Sequence, residues 1–319
     1  MDAAPFQELL RDMNDVELLI NTRPQLAHYT STATLEKILQ TEAFLLSNPL
    51  FMNDLEEVRF GFSLGQRLFV EKSQDIQRAC GTLQRYGALK HAFEYYCSEF
   101  DEKHALDIYL LCLSEHVKAD EQGRLSMWRA YGGRGNGAAL VFNTDHFGVH
   151  EESPLLFAKV RYGSVQSRVA DLTAKFMKWC QVLQSTNVPD NDIHIAAYWL
   201  LMLVKFFALV TKHKGFEEEQ EWRLIYSAEH DLKGFYTKNR TYLITDRGVE
   251  PKLTFPIKAL PVAEAPQWTF DKILEKIILG PSISSPLSKS AVVRMLETLG
   301  KANLIDRVVA SGIPLRPNS

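Results

Sequence analysis

LAHYTSTATLEKILQTEAFLLSNP, residues 26–49, changes its periodicity twice within one short stretch. LAHYTS is an apolar run ending in hydroxyl residues, which reads as a strand turning into a helix. Leu35 to Gln40 then carry helical spacing. One of Ser31, Thr32 or Thr34 caps them, because a side-chain oxygen there accepts from the unpaired N–H groups of a first turn. AFLLSNP, Ala43 to Pro49, returns to strand and closes on Asn48-Pro49. Strand, helix and strand in quick succession make this a mixed chain.

Working outward, a short helical pattern (Phe6, Leu9, Leu10, Met13) precedes the turn at Asn21–Pro24. Downstream, a loop at Asn53 or Asp54 starts a helix, and a long helical region covers roughly 71–105. The apolar stretch from Asp107 to Ser114 reads as a buried strand. SMWRAYGG gives a helical turn or two, Ala138 to Asn143 a strand, and Ala158 to Tyr162 another. Val165, Val169, Leu172, Phe176, Trp179 and Leu183 mark one apolar face of an amphipathic helix. Ile195 to Val210 is apolar apart from Lys205. The uninterrupted run is shorter than the roughly 18 residues a spanning helix needs, so it reads as a buried central helix. Glu221 to Tyr226, Lys276 to Gly280 and Arg307 to Ala310 are strands, with a helix from Ser285-Pro286 to Gly300 between the last two. Strands at both ends and helices between them predict an α+β (mixed α/β) fold. Residues 1–319 read as one domain, with a helical insertion at about 164–214.

The 319 residues carry 36 Lys+Arg and 39 Asp+Glu, a net charge of −3, with 46% hydrophobic and 24% charged residues. This excludes a disordered tail, a collagen-like chain and a small disulfide scaffold. It also excludes a DNA-coating protein, which would show a basic face. Cys80, Cys97, Cys112 and Cys180 show no CxxC pair, and the acidic start MDAAPFQELLRDMND lacks a signal-peptide pattern, so a cytoplasmic location is expected.

The glycines of YGGRGNGAALVF come in the order helix, glycines, strand, the reverse of a phosphate cradle. They read as a helix end and a tight turn into a strand. No metal-ligand spacing and no GxSxG elbow occurs. Three polar clusters remain, each at a strand end. These are His28-Tyr29-Thr30-Ser31, then Ser114 followed by Met127-Trp128 and Tyr131, then the acidic run Glu217 to Glu221 leading into Trp222-Arg223. Strand alternation would place Glu219, Glu221 and Arg223 on one side, which a half-buried strand with an Arg counter-ion also gives.

The pieces HYTS…LEKIL, FLLSNPLFMNDLEE, LCLSE…SMWRAYGGRGNGAALVF, KHKGFEEEQEWRLIY and KIILGP resemble the bacterial domain-of-unknown-function family numbered 2971. The strand-end His-Tyr-Thr followed by Leu-x-x-Ile-Leu is also similar to the first motif of ADP-ribosyltransferases. That resemblance implies a split β core carrying the large helical insertion, and NAD as substrate. It implies that His28, with Tyr29 and Thr30 beside it, holds a ribose hydroxyl. Tyr29 or Tyr131 would supply an aromatic face, and Ser114 a middle-strand hydroxyl. Glu221, with Glu219 completing an E-x-E pattern, would be the catalytic carboxylate, and Arg223 and Asn53 are further polar candidates. The implied activity is an ADP-ribosyltransferase or NAD glycohydrolase, of the kind found in bacterial toxins and phage-defence effectors, with a protein or nucleic acid as acceptor. The departures are the Trp128–Tyr131 segment with its glycines and the Asn53–Glu57 cluster.

Two other readings stand beside it. Asn53, Asp54, Glu57, Glu219 and Glu221 are hard oxygen ligands suited to a metal-dependent phosphodiesterase or nuclease. Alternatively, His28, Asn53 and Arg223 form a buried polar network in a non-catalytic ligand-sensing or interaction module.

Overall fold

The structure is a computed structural model that describes residues 2–52, 55–100, 105–133, 136–147, 153–257 and 269–314. Along the chain the first elements are α1 (Ala4–Arg11), α2 (Val16–Thr22), β1 (Gln25–Ser31), α3 (Thr32–Thr41) and β2 (Ala43–Ser47). Then come α4 (Leu55–Glu71), α5 (Ser73–Cys80), α6 (Leu83–Glu99), β3 (Ile108–His116), α7 (Leu125–Ala130) and β4 (Gly137–Phe142). The middle holds β5 (Leu155–Lys159), β6 (Arg161–Gly163), α8 (Val165–Ser185), α9 (Ile193–Val210), β7 (Thr211–His213) and β8 (Glu221–Ser227). The last elements are β9 (Arg240–Thr245), β10 (Gly248–Pro256), α10 (Phe270–Ile273), β11 (Leu274–Leu279), α11 (Pro286–Thr298) and β12 (Val308–Ala310). The fold is α+β, with an open mixed sheet.

The chain divides into two compact units. The first comprises residues 1–15, 47–109 and 158–217, and the second 16–46, 110–157 and 218–319. The helical segment expected at 164–214 lies inside the 158–217 stretch of the first unit.

The first unit is built on α9, against which α1, α4, α6 and α8 pack. Gly61 and Gly65, one turn apart on α4, permit a close approach of α4 to α9. A Cβ at Gly61 would fall 2.5 Å from the Ala208 Cβ, and one at Gly65 would fall 2.4 Å from a Val204 methyl. Residues 190–210 are long and apolar enough to cross a membrane, yet 78% of their most apolar 18-residue window is buried inside the protein. Lys205 is buried in this helix, 6.0 Å from the Phe100 ring centroid, and desolvation pulls its pKa down to about 7. No disulfide joins the four cysteines. Burial pushes the Cys80 thiol up to about 11 and the Cys180 thiol to about 12, so neither is a reactive thiolate at neutral pH.

The second unit carries the ten-stranded sheet. Its main path runs β12-β11-β4-β1-β3-β2-β10-β9, and β8 joins it by pairing with β3 and β5. β1 is central and antiparallel to both neighbours. Six pairs link it to β4, from Leu26↔Phe142 to Ser31↔Gly137, and three link it to β3. Ser31 is the cap of α3, accepting from the Thr34 N–H at 3.1 Å, which settles the choice among the three hydroxyl residues. The expected strand at 158–162 is instead two strands broken at Val160, and the helical region at 71–105 is two helices broken at Gly81, whose φ is +77°. The hairpin of β9 and β10 has no counterpart in the sequence reading. It turns at Asp246-Arg247, and its outer strand leaves Tyr242 and Ile244 exposed.

Candidate functional site

β1 distributes the first motif over both faces of the sheet. Successive residues of a strand point to opposite sides, so Ala27, Tyr29 and Ser31 share one face and Leu26, His28 and Thr30 the other. Tyr29 joins a cluster with Ala27, Met127, Trp128, Ala139, Val141 and Ile278. Its ring meets Trp128 edge-on at 4.8 Å, and its hydroxyl accepts from the Arg124 backbone N–H at 2.8 Å. Desolvation raises its pKa, against the opposing pull of Arg124. Tyr29 is therefore a core residue, its ring committed to packing.

On the opposite face, His28 packs edge-on against Phe44 at 5.3 Å. Its Nδ1 donates to the Cys112 carbonyl at 3.3 Å, immediately beyond the last β1–β3 pair, Ala27↔Ser114. Desolvation lowers its pKa to about 4, and the Cys112 hydrogen bond only partly opposes this, so the ring is neutral at pH 7 with Nε2 as an acceptor. Thr30 is buried on the same face.

The second and third clusters meet on the Tyr29 face. Ser114 stands opposite Ala27, and its hydroxyl donates to the Glu219 carbonyl at 2.6 Å. Tyr131, packed against the Tyr29–Trp128 cluster, donates its phenolic hydrogen to Glu219 Oε1 at 3.1 Å. Glu219 ends a 3-10 segment (Lys214–Glu219), and Gln220 adopts φ +41°, so strand alternation begins only at Glu221. Trp222 donates its indole N–H to Glu115 at 3.2 Å. Because Glu115 faces the His28 side, Glu221 and Arg223 project to the Ser114 side. Glu221 is 5% and Arg223 1% exposed. Arg223 donates Nε to Glu221 Oε1 at 2.9 Å and Nη2 to Oε2 at 3.1 Å, a bidentate pair. Glu219 is only half-buried.

Arg124, absent from the sequence reading, ties this arrangement together. Its guanidinium donates to the Glu218 carbonyl at 2.5 Å, the Glu115 carbonyl at 2.8 Å and Gln220 Oε1 at 2.9 Å. The preceding loop is organised by Asp120, whose carboxylate accepts from the Gln122 and Gly123 N–H groups at 2.7 and 3.1 Å. Gln122 in turn accepts the Trp128 indole N–H at 2.9 Å. The only sequence signal was a polar stretch with a glycine, DEQGR, before the short helix.

Tyr29, Ser114, Tyr131, Glu219, Glu221 and Arg223 therefore share one face, while His28 and Thr30 occupy the other. Asn53 and Asp54 lie outside the described residues. Glu57 belongs to the first unit, where it is paired with Arg168 at 2.7 Å. Among the described residues, no group of three or more His, Cys, Asp or Glu side chains is placed to hold a metal ion. Gly132, Gly133 and Gly137 of the glycine cluster lie between the end of α7 and the start of β4, as their order implied. The Tyr131 and Gly132 N–H groups both return to the Met127 carbonyl, and Gly133 takes φ +56°.

Residues 127–224 match the protein family described as "Protein of unknown function (DUF2971)". The matched stretch runs from α7 into β8 and contains Tyr131, Glu219, Glu221 and Arg223, which supports that family resemblance. No curated protein and no solved structure matches the chain, so the resemblance to ADP-ribosyltransferases has no support from relatives.

Proposed function

We propose that the second unit cleaves the nicotinamide–ribose bond of NAD, as an ADP-ribosyltransferase-like enzyme or an NAD glycohydrolase. One observation carries the reading. A half-buried carboxylate, Glu219, sits with a phenol, Tyr131, on one oxygen, on the same face of the sheet as a second carboxylate, Glu221, that Arg223 locks in place. Breaking the C1′–N bond sends its electron pair out with nicotinamide and develops an oxocarbenium ion on the ribose, as in glycoside hydrolysis. A carboxylate aimed at that carbon stabilises the charge. The acceptor oxygen or nitrogen then bonds to C1′ and loses its proton; with water as acceptor the product is ADP-ribose. Glu219 suits the charge-stabilising role better than Glu221, because Arg223 engages both oxygens of Glu221. Tyr131 then orients Glu219, and Glu221–Arg223 is a positioning pair. His28 and Thr30 do not join this site, and their face is no part of the proposal.

The test is NAD consumption, and label transfer to protein, DNA and RNA, by the full chain. Wild type consumes NAD, and Glu219→Gln slows it about 100-fold or more, the scale of losing one transition-state electrostatic contact. A wild type that leaves NAD intact with every acceptor class overturns the reading.

The Arg124 network favours a second reading, a non-catalytic interaction module whose polar groups fix the loop and strand ends. In that case wild type does not consume NAD, and Arg124→Ala lowers the melting temperature.

A further inference from the structure

Arg168, on α8 in the first unit, is 4% exposed and held from α4 at two points. Its Nη1 donates to Glu57 Oε2 at 2.7 Å, and its guanidinium carbon lies 4.2 Å from the Phe60 ring centroid. Its remaining edge is different. Nε and Nη2 are both buried and have no hydrogen-bond partner among the described residues. These two atoms form the side-on edge of the guanidinium, the fork that fits the two oxygens of a carboxylate or phosphate. The same chain shows the edge in use, since Arg223 grips Glu221 with its own Nε and Nη2. Folded proteins seldom leave buried donors unsatisfied, and two on one charged fork are rarer still.

The surroundings hold the fork in place. Glu57, which fixes the opposite side of the guanidinium, also accepts the His213 backbone N–H at 3.2 Å, tying α4 to β7. Gly163, at the end of β6, has no side chain where a Cβ would lie 3.2 Å from the Arg168 Cγ and 2.6 Å from the Ser167 hydroxyl. The backbone thus closes on the arginine stem.

We infer that the Nε/Nη2 edge of Arg168 is a binding site for a small oxyanion, a carboxylate or phosphate group taken bidentately. The site lies wholly within the first unit and does not depend on the NAD reading. The experiment titrates the full chain at constant ionic strength with inorganic phosphate in one arm and acetate in the other, following the melting temperature. It adds Arg168→Lys, which keeps the charge and loses the fork, and a high-resolution crystal structure of wild type grown in the responding anion. The expected result is a saturable rise in one arm, weakened about tenfold or more in Arg168→Lys, the worth of one charge-assisted hydrogen bond. The crystal should show the anion on Nε and Nη2, and it reads the site even if the variant fails to fold. An equal response in Arg168→Lys, no saturable rise in either arm, or a crystal with water alone on that edge overturns the inference.

Discussion

Glu221 and Arg223, two residues apart on β8 and both almost fully buried, are joined by parallel hydrogen bonds of 2.9 and 3.1 Å. Strand geometry puts them on one face at a spacing that a side-on guanidinium spans. Removing two charges from water is costly, and the pair recovers that cost only while both members are present.

Glu221→Gln leaves the Arg223 cation without its carboxylate and should cost about 3–5 kcal/mol in urea unfolding. The double variant Glu221→Leu/Arg223→Met removes both charges and should recover most of that loss. Glu219→Gln, at a half-exposed position, should cost less than about 1 kcal/mol, within the range of surface substitutions. A Glu221→Gln variant as stable as Glu219→Gln would show that the pair does not anchor β8.

At Gly137 the constraint is space. A Cβ there would lie 2.1 Å from the Thr30 carbonyl oxygen and 2.7 Å from the Gly132 carbonyl carbon, both of them backbone. Gly137→Ala must push β1 from β4 where the two strands meet, at a cost of about 1–3 kcal/mol typical of overpacking. Chemical unfolding measures it. An unchanged midpoint would mean that the strand ends shift freely.

Much of the fold was legible because its signals are local. The cap at Ser31, the apolar stripe of α8 and the continuous apolarity of α9 each depend on residues within a few positions of one another. Other features depend on residues far apart. Arg124 acts through carbonyl oxygens at Glu115 and Glu218, and every residue has such an oxygen, so nothing in the sequence singles out the pair. The hairpin of β9 and β10 hides its alternation because its outer strand exposes apolar Tyr242 and Ile244. His28 and Tyr29 read as one motif because they are adjacent, yet adjacency on a strand is what separates them onto two faces. The gap between Glu219 and Glu221 escaped detection because it rests on one backbone angle at Gln220, a residue without the usual signature of positive φ.

His28 makes stability depend on pH between its two pKa values. Its folded value of about 4 lies below the ordinary 6.5, because desolvation outweighs the Cys112 hydrogen bond. Between those values the unfolded chain holds a proton that the folded chain does not. Its contribution is therefore complete above pH 6.5 and falls as pH drops toward 4, by up to about 3 kcal/mol. His28→Asn keeps a donor for the Cys112 carbonyl and does not titrate. Urea midpoints at several pH values should fall less steeply for the variant than for wild type across this window. Parallel profiles would remove His28 as the cause.

Asp231 also loses its contribution on acidification, but in a more acidic window. Its carboxylate accepts from the backbone N–H groups of Phe235, Tyr236 and Thr237 at 2.7, 2.8 and 3.1 Å, and from the Tyr226 hydroxyl at 3.0 Å. Burial alone would raise its pKa. The Tyr236 and Phe235 N–H groups, then the Tyr226 and Thr237 hydroxyls, outweigh burial and hold it below the ordinary 3.8. The contribution is present above the unfolded value and is lost as pH falls through the folded one. Asp231→Asn turns an NH₂ toward groups that themselves donate, and should cost about 1–3 kcal/mol at pH 7. The gap between variant and wild type should narrow as the pH is taken below 3.8, because protonation then costs wild type the same acceptor. Thermal unfolding at pH 7 and pH 3 measures both gaps, and a difference that stays constant between the two would show that the ionised carboxylate does not hold this loop.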